Sequence, residues 1–189
     1  MIEHFKKFDK EIKSLLPLSF SHLNEFAFNR ERWALRRLFG YEFPSSASAE
    51  RGTAVETALN MIMTGADYET AKAKMYSDFE VKVSTMNDPK TDEERDNLEP
   101  LLKIGVDSFH KYAVNWDLLN YQKKVELTIK DIPLVGYTDF HFEDKTTKED
   151  FYIDLKTSKR KPFGISTSHA MQQAIYQRAT NANQKLWYL

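Results

Sequence analysis

The sequence predicts an α/β protein in which a small mixed β-sheet is flanked by helices. Three observations carry this expectation. Apolar residues recur at helical spacing through most of the first 120 positions. From Val125 the period switches to two. A further helical stretch, His169 to Asn181, then separates two strand-like runs, Phe151 to Lys156 and Lys185 to Leu189.

Taken in order, Ser19 to Phe39 reads as one helix. Ser19 or Ser21 is its N-cap, Leu23, Phe26, Ala27, Trp33, Ala34 and Leu38 form its apolar stripe, and Gly40 stops it. Pro44 to Ala49 is a serine-rich loop. A second helix starts near Ser48 or Glu50, carries Val55, Leu59 and Met63, and ends at Gly65. Tyr68 to Val83 is a third. Asn87-Asp88-Pro89 is a turn, and Thr91-Asp92-Glu93-Glu94 opens a helix through Leu98, Leu102, Val106 and Phe109 that runs to Trp116 or beyond. Val125, Leu127 and Ile129 alternate with polar residues as in a half-buried strand. Asp131-Ile132-Pro133 is a tight connection into a strand around Val135 to Phe142, and Glu143 to Glu149 is a hairpin loop before Phe151 to Lys156. Lys159 to Ser168 is an irregular basic loop.

The bulk properties narrow the function. Aromatic residues make up 13% and hydrophobic residues 41% of the 189 positions, enough for a folded core. There is no cysteine. Disulfides, thiolate zinc sites, cysteine-ligated iron–sulfur clusters and a thiol nucleophile are therefore excluded. Met1 to Ser14 lacks an apolar segment, no apolar run approaches a membrane span, and a cytoplasmic protein is expected. The net charge is −1, but its distribution is uneven. Acids predominate from Asp78 to Glu99. After Asp154 there is no acid, while Lys156, Lys159, Arg160, Lys161, Arg178 and Lys185 fall there. Such a segment is either a solvated basic face or a path for a polyanion.

Two acids stand out. Asp139 lies within Leu134-Val135-Gly136-Tyr137-Thr138-Asp139-Phe140, and Asp154 within Phe151-Tyr152-Ile153-Asp154-Leu155-Lys156-Thr157. Carboxylates placed among apolar residues are costly unless their charge is compensated. On neighbouring antiparallel strands they can face one another at about 5 Å, an arrangement that favours a divalent ion between them. Asp154 and Lys156 share a strand face, so the lysine can reach the phosphate that the metal contacts. Leu155 points the other way, but its backbone carbonyl is a possible further ligand. This is the equipment of metal-assisted phosphodiester hydrolysis. A surface Asp–Lys pair is the bland alternative.

Five motifs follow one another: Ser19-Phe20-Ser21-His22-Leu23, Arg51-Gly52-Thr53-Ala54-Val55-Glu56, Gly136-Tyr137-Thr138-Asp139, Ile153-Asp154-Leu155-Lys156-Thr157 and Gln172-Gln173-Ala174-Ile175-Tyr176. From Ser19 to the C-terminus the chain resembles the RecB-like, phage lambda-exonuclease-like branch of the PD-(D/E)XK nuclease superfamily. The resemblance implies a restriction-endonuclease-like core and one nuclease domain over 1–189, mainly helical over 1–120, with the catalytic sheet and Gln-x-x-x-Tyr helix over 121–189. Where the family has histidine this chain has Glu56, which reads as a substitution of one metal ligand for another; the alternative is a polar residue on an amphipathic helix. Many relatives also carry four iron–sulfur cysteines, so that cluster is expected to be absent here.

By resemblance, Glu56, Asp139 and Asp154, with the Leu155 carbonyl, would hold Mg2+ or Mn2+, and Lys156 would stabilise the transition state or orient the water. Gln172 and Tyr176, one helical turn apart, would position the lysine and the DNA, or Tyr176 is a core aromatic. Arg51 would bind a phosphate or pair with an acid. Lys159, Arg160 and Lys161 would grip the DNA backbone. The implied function is metal-dependent DNA cleavage, exonucleolytic, in recombination, repair or phage DNA processing, with DNA and a homo-oligomer or recombination protein as partners. The alternatives are a non-catalytic DNA-binding subunit that retains the fold, and a structural protein with fortuitous motifs.

Overall fold

The computed structural model describes residues 15–158 and 162–189. Its elements are β1 (Leu18–Ser19), α1 (Phe20–Phe28), α2 (Arg30–Phe39), α3 (Ala47–Met63), α4 (Tyr68–Val83), α5 (Thr91–Asp96), α6 (Leu98–Tyr112), β2 (Trp116–Ile129), β3 (Ile132–Asp144), β4 (Asp150–Lys156), α7 (Thr167–Thr180) and β5 (Asn183–Tyr188). The strands form one five-stranded mixed sheet in the order β1-β3-β4-β5, with β2 also paired to β3. This is the flanked mixed sheet of a restriction-endonuclease-like fold. Among the described residues no helix is long and apolar enough to cross a membrane.

Three expected elements differ in their limits. The helix read over Ser19 to Phe39 is two helices. Asn29 leaves helical geometry (φ −151°, ψ 79°) and its side chain accepts the Arg32 N–H at 2.9 Å, capping the second helix as the first ends. The helix opening at Thr91 is interrupted at Asn97, because Pro100 has no N–H to give the Asp96 carbonyl and its ring crowds that group. The following helix stops at Tyr112, and Trp116 begins a strand instead of ending a helix. That strand's inward residues are Trp116 and Leu118, then Tyr121 and Val125. The alternation slips by one residue, which hides the strand from a period-two reading.

The described residues divide into two compact units. The first comprises residues 15–43, 124–137 and 164–182. In it β1 runs parallel to β3, with Leu18 beside Leu134 and Ser19 beside Val135. The β2–β3 hairpin turns at Lys130 and Asp131, both at positive φ (47° and 65°), as a two-residue turn requires. Tyr176 of α7 lies over Gly136 so closely that a Cβ there would come within 2.5 Å of the tyrosine ring.

The second unit comprises residues 44–123, 138–158, 162–163 and 183–189. Here β3 pairs antiparallel with β4, Phe140 facing Ile153 and Phe142 facing Phe151, and β4 pairs in parallel with β5. The core lies on one side of these strands, where Phe140, Phe142, Phe151 and Ile153 meet Val55, Leu59, Met75, Phe79 and Leu102 from the helices. Helix α3 buries Ala47, Arg51, Ala54, Val55, Ala58 and Leu59, a stripe at helical spacing with small residues that let neighbours approach. At Gly105 of α6 the approach is closest, since a Cβ there would lie 2.8 Å from the Leu59 methyls.

Candidate functional site

The second unit contains an open cleft of about 330 Å3. One wall is the α3 face that carries Ser48, Ala49, Gly52, Thr53 and Glu56; the other is Asp139 of β3 with Leu155, Lys156 and Thr157 of β4. Helical spacing puts Gly52 and Glu56 on a single face one turn apart. The strand wall follows from the register. Phe140 faces Ile153 on the core side, so Asp139 and Asp154 come next across the pair on the opposite side. Asp139 does not stay an ordinary ladder residue, because its Oδ2 accepts the Leu155 N–H at 2.7 Å. Asp154 is 3% exposed, and its Oδ2 lies 2.6 Å from the Lys156 ammonium.

These groups share one electrostatic environment. Burial, followed by the charges of Glu56 and Asp154, pushes the Asp139 carboxyl up to about 8; the Leu155 N–H and Lys156 only partly oppose this. Burial also raises Glu56, against hydrogen bonds from Gln122 and Tyr121, while the Asp154 charge raises it further. Tyr121 is pushed up to about 12 by burial and by the adjoining Glu56. Glu56 and Asp139 thus line the cleft beside Lys156, and the charge of the buried Asp154 is felt by both, which favours proton uptake.

Among the described residues, no three Asp, Glu, His or Cys side chains are grouped closely enough to hold a metal ion as they stand. The donor set nevertheless fits a hard divalent cation. It consists of carboxylate oxygens, it is partly desolvated, and its like charges raise one another's affinity for positive charge.

Arg51 does not line the cleft. It is 4% exposed, its guanidinium is ion-paired with the buried Glu94, and it also donates to the Thr157 hydroxyl at 3.2 Å. Gly52 lies against the same threonine, whose Oγ1 would be 3.2 Å from an added Cβ. Arg51-Gly52 therefore joins α3, with Glu56 one turn on, to the end of the strand that carries Asp154 and Lys156. Gln172 and Tyr176 belong to the first unit, where the Gln172 amide lies 3.5 Å from the Tyr176 hydroxyl. Lys159, Arg160 and Lys161 lie outside the described residues.

His141 shares β3 with Asp139 but is a buried histidine that does not line the cleft. It stacks on Tyr152 at 4.2 Å, meets Asn120 at 3.1 Å and lies 3.2 Å from Asp150. Two residues that sequence reasoning missed, Tyr121 and Gln122, reach Glu56 from β2. Their motif, Tyr-Gln-Lys-Lys, carries no feature that would single them out.

A family model described as the PD-(D/E)XK nuclease superfamily matches residues 17–187. Nucleases of that superfamily generally act on DNA and use divalent metals such as Mg2+ or Mn2+. Among curated proteins none matches. The solved structure titled "Crystal structure of SSO0001" is similar at 17% identity over 84% of this chain and 69% of that one, with a TM-score of 0.37, too loose a likeness to bear on fold or function. The family match spans all five sequence motifs and both strands of the acidic cleft, and the chain belongs to the PD-(D/E)XK nuclease superfamily.

Proposed function

We propose that this protein is a metal-dependent deoxyribonuclease of the RecB-like branch, an exonuclease working in DNA recombination, repair or phage DNA processing. The observation that carries this reading is the electrostatic coupling of Glu56, Asp139 and Asp154, with Lys156 beside Asp154 and Asp139 pushed up to about 8 by burial and by the other two acids. In this reading the three carboxylates and the Leu155 carbonyl hold Mg2+ or Mn2+. A metal held there would supply polarisation of a phosphoryl oxygen and a more acidic water. Lys156, within ion-pair reach of Asp154, meets the charge that develops on the phosphate or orients the water. The Leu155 N–H fixes the Asp139 carboxylate, and the buried Arg51–Glu94 pair fixes Thr157 beside Lys156. Gln172 and Tyr176 help to position the DNA, and Lys159, Arg160 and Lys161 bind its backbone. Residues 1–189 act as one nuclease domain, in the cytoplasm, alone or with further copies or a recombination protein. Lacking cysteine, the chain dispenses with a cysteine-ligated iron–sulfur cluster.

Linear and circular DNA, single- and double-stranded, with label at either end, tests the proposal in the presence and absence of Mn2+. Metal-dependent loss of end label from linear DNA, abolished in Asp154→Ala, is the expected result. Equal cleavage by Asp154→Ala removes the site assignment, and cutting of closed circles removes the exonuclease.

A further inference from the structure

We propose that Gln122 is a positioning residue for Glu56, and that the left-handed backbone at Gln122 serves to aim it. This rests on Glu56 being a metal ligand. The Gln122 amide lies 3.1 Å from Glu56 Oε1 and 3.3 Å from the Tyr121 hydroxyl. Gln122 also adopts φ 48°, the left-handed region that glycine and asparagine tolerate and glutamine rarely occupies. A strained residue persists in a strand only where its surroundings demand it, and such residues cluster at functional sites. Here the left-handed residue carries the side chain whose amide reaches Glu56 on α3. The carboxylate torsion of a glutamate is intrinsically broad. With Oε1 held by an amide donor, the plane of the Glu56 carboxylate is set. This is how outer-shell partners orient ligands in metal sites.

The fold and the site make opposite demands at this position, and that separates the two roles. A glutamine kept only for the shape of β2 is better served by glycine or asparagine. A glutamine kept for Glu56 is not, because glycine has no amide and asparagine is one methylene short. Full-length Gln122→Gly and Gln122→Asn should melt at or above the wild-type temperature. Both should bind Mn2+ at least about tenfold more weakly by isothermal titration calorimetry or Mn2+ electron paramagnetic resonance. The Mn2+ concentration that half-saturates cleavage should rise in parallel, with KM for DNA unchanged. Wild-type Mn2+ affinity in both variants overturns the proposal, as does a lower melting temperature with unaltered Mn2+ binding. Glu56→Gln separates this from the reading beneath it. If Glu56→Gln loses Mn2+ while the Gln122 variants retain it, only the role of Gln122 falls. If wild type and Glu56→Gln bind Mn2+ alike, or neither binds it, the metal assignment falls and takes Gln122 with it.

Discussion

The two units bury their side chains in different ways. In the second, α3, α4 and α6 each bury a stripe of apolar residues in one core shared with β3 and β4, and Phe79, Phe140 and Phe142 are wholly inaccessible. In the first, α1 and α2 bury no residue at all, and Phe28 and Phe39 are 74% and 71% exposed. Those helices are held by caps, by Arg32 and Arg36 on Glu25, and by Arg32 and Arg36 lying over the Phe43 ring. Crowding carboxylates is costly, and it requires a scaffold that does not yield when they repel. The acids sit in the unit whose packing can supply that resistance.

The largest expected effect tests whether the cleft is chemical or merely structural. Asp154→Asn should lower cleavage by at least about a thousandfold, and Lys156→Ala by about 100- to 1000-fold, with circular dichroism unchanged. Activity within a factor of a few of wild type in either variant would remove the cleft from the reaction. Next come the supports of the second unit. Phe79→Ala should cost about 3–5 kcal/mol in urea unfolding. Glu94→Ala should cost a similar amount, about 3–5 kcal/mol, because it strands the buried Arg51 charge. A loss below about 1 kcal/mol in both would show that the core is not what holds the acids together.

The pH dependence sharpens the same point. The Asp139 carboxyl has an ordinary value of 3.8 and is pushed up to about 8 in the folded chain. Between these values the folded protein holds a proton that the unfolded chain has lost. In chelator, stability should therefore fall as pH rises from about 4 to about 8. The slope should shrink in Asp139→Asn, and Mn2+ added at pH 8 should raise the melting temperature. Equal slopes in the two proteins would show that the repulsion is relieved in some other way. The smallest effect belongs to the first unit. Phe28→Ser should alter stability by no more than about 0.5 kcal/mol, and a loss near that of Phe79→Ala would erase the contrast between the units.

Much of the fold could be read from the sequence, since most of the main helices and strands have a clear period. The acids were legible for a physical reason: a carboxylate in an apolar alternating run is costly, and Asp139 and Asp154 each sit in one. The remainder depended on non-local or irregular features. Glu94, the partner of Arg51, is 43 residues away and looks like any acid of a helix first turn. The start of β2 was hidden because Trp116 and Leu118 fall out of phase with Tyr121 and Val125. Gln122 was invisible because nothing in a glutamine announces a left-handed backbone. The breaks at Asn29 and Pro100 had local signals, a cap and a missing donor, that the apolar stripes outweighed.

The contact between Gly136 and Tyr176 binds two of the sequence motifs into a single constraint. Any side chain at 136 must displace the ring at 176, so the glycine cannot vary alone. Across divergent homologues, a bulkier residue at the glycine should arrive only together with a smaller one at the tyrosine.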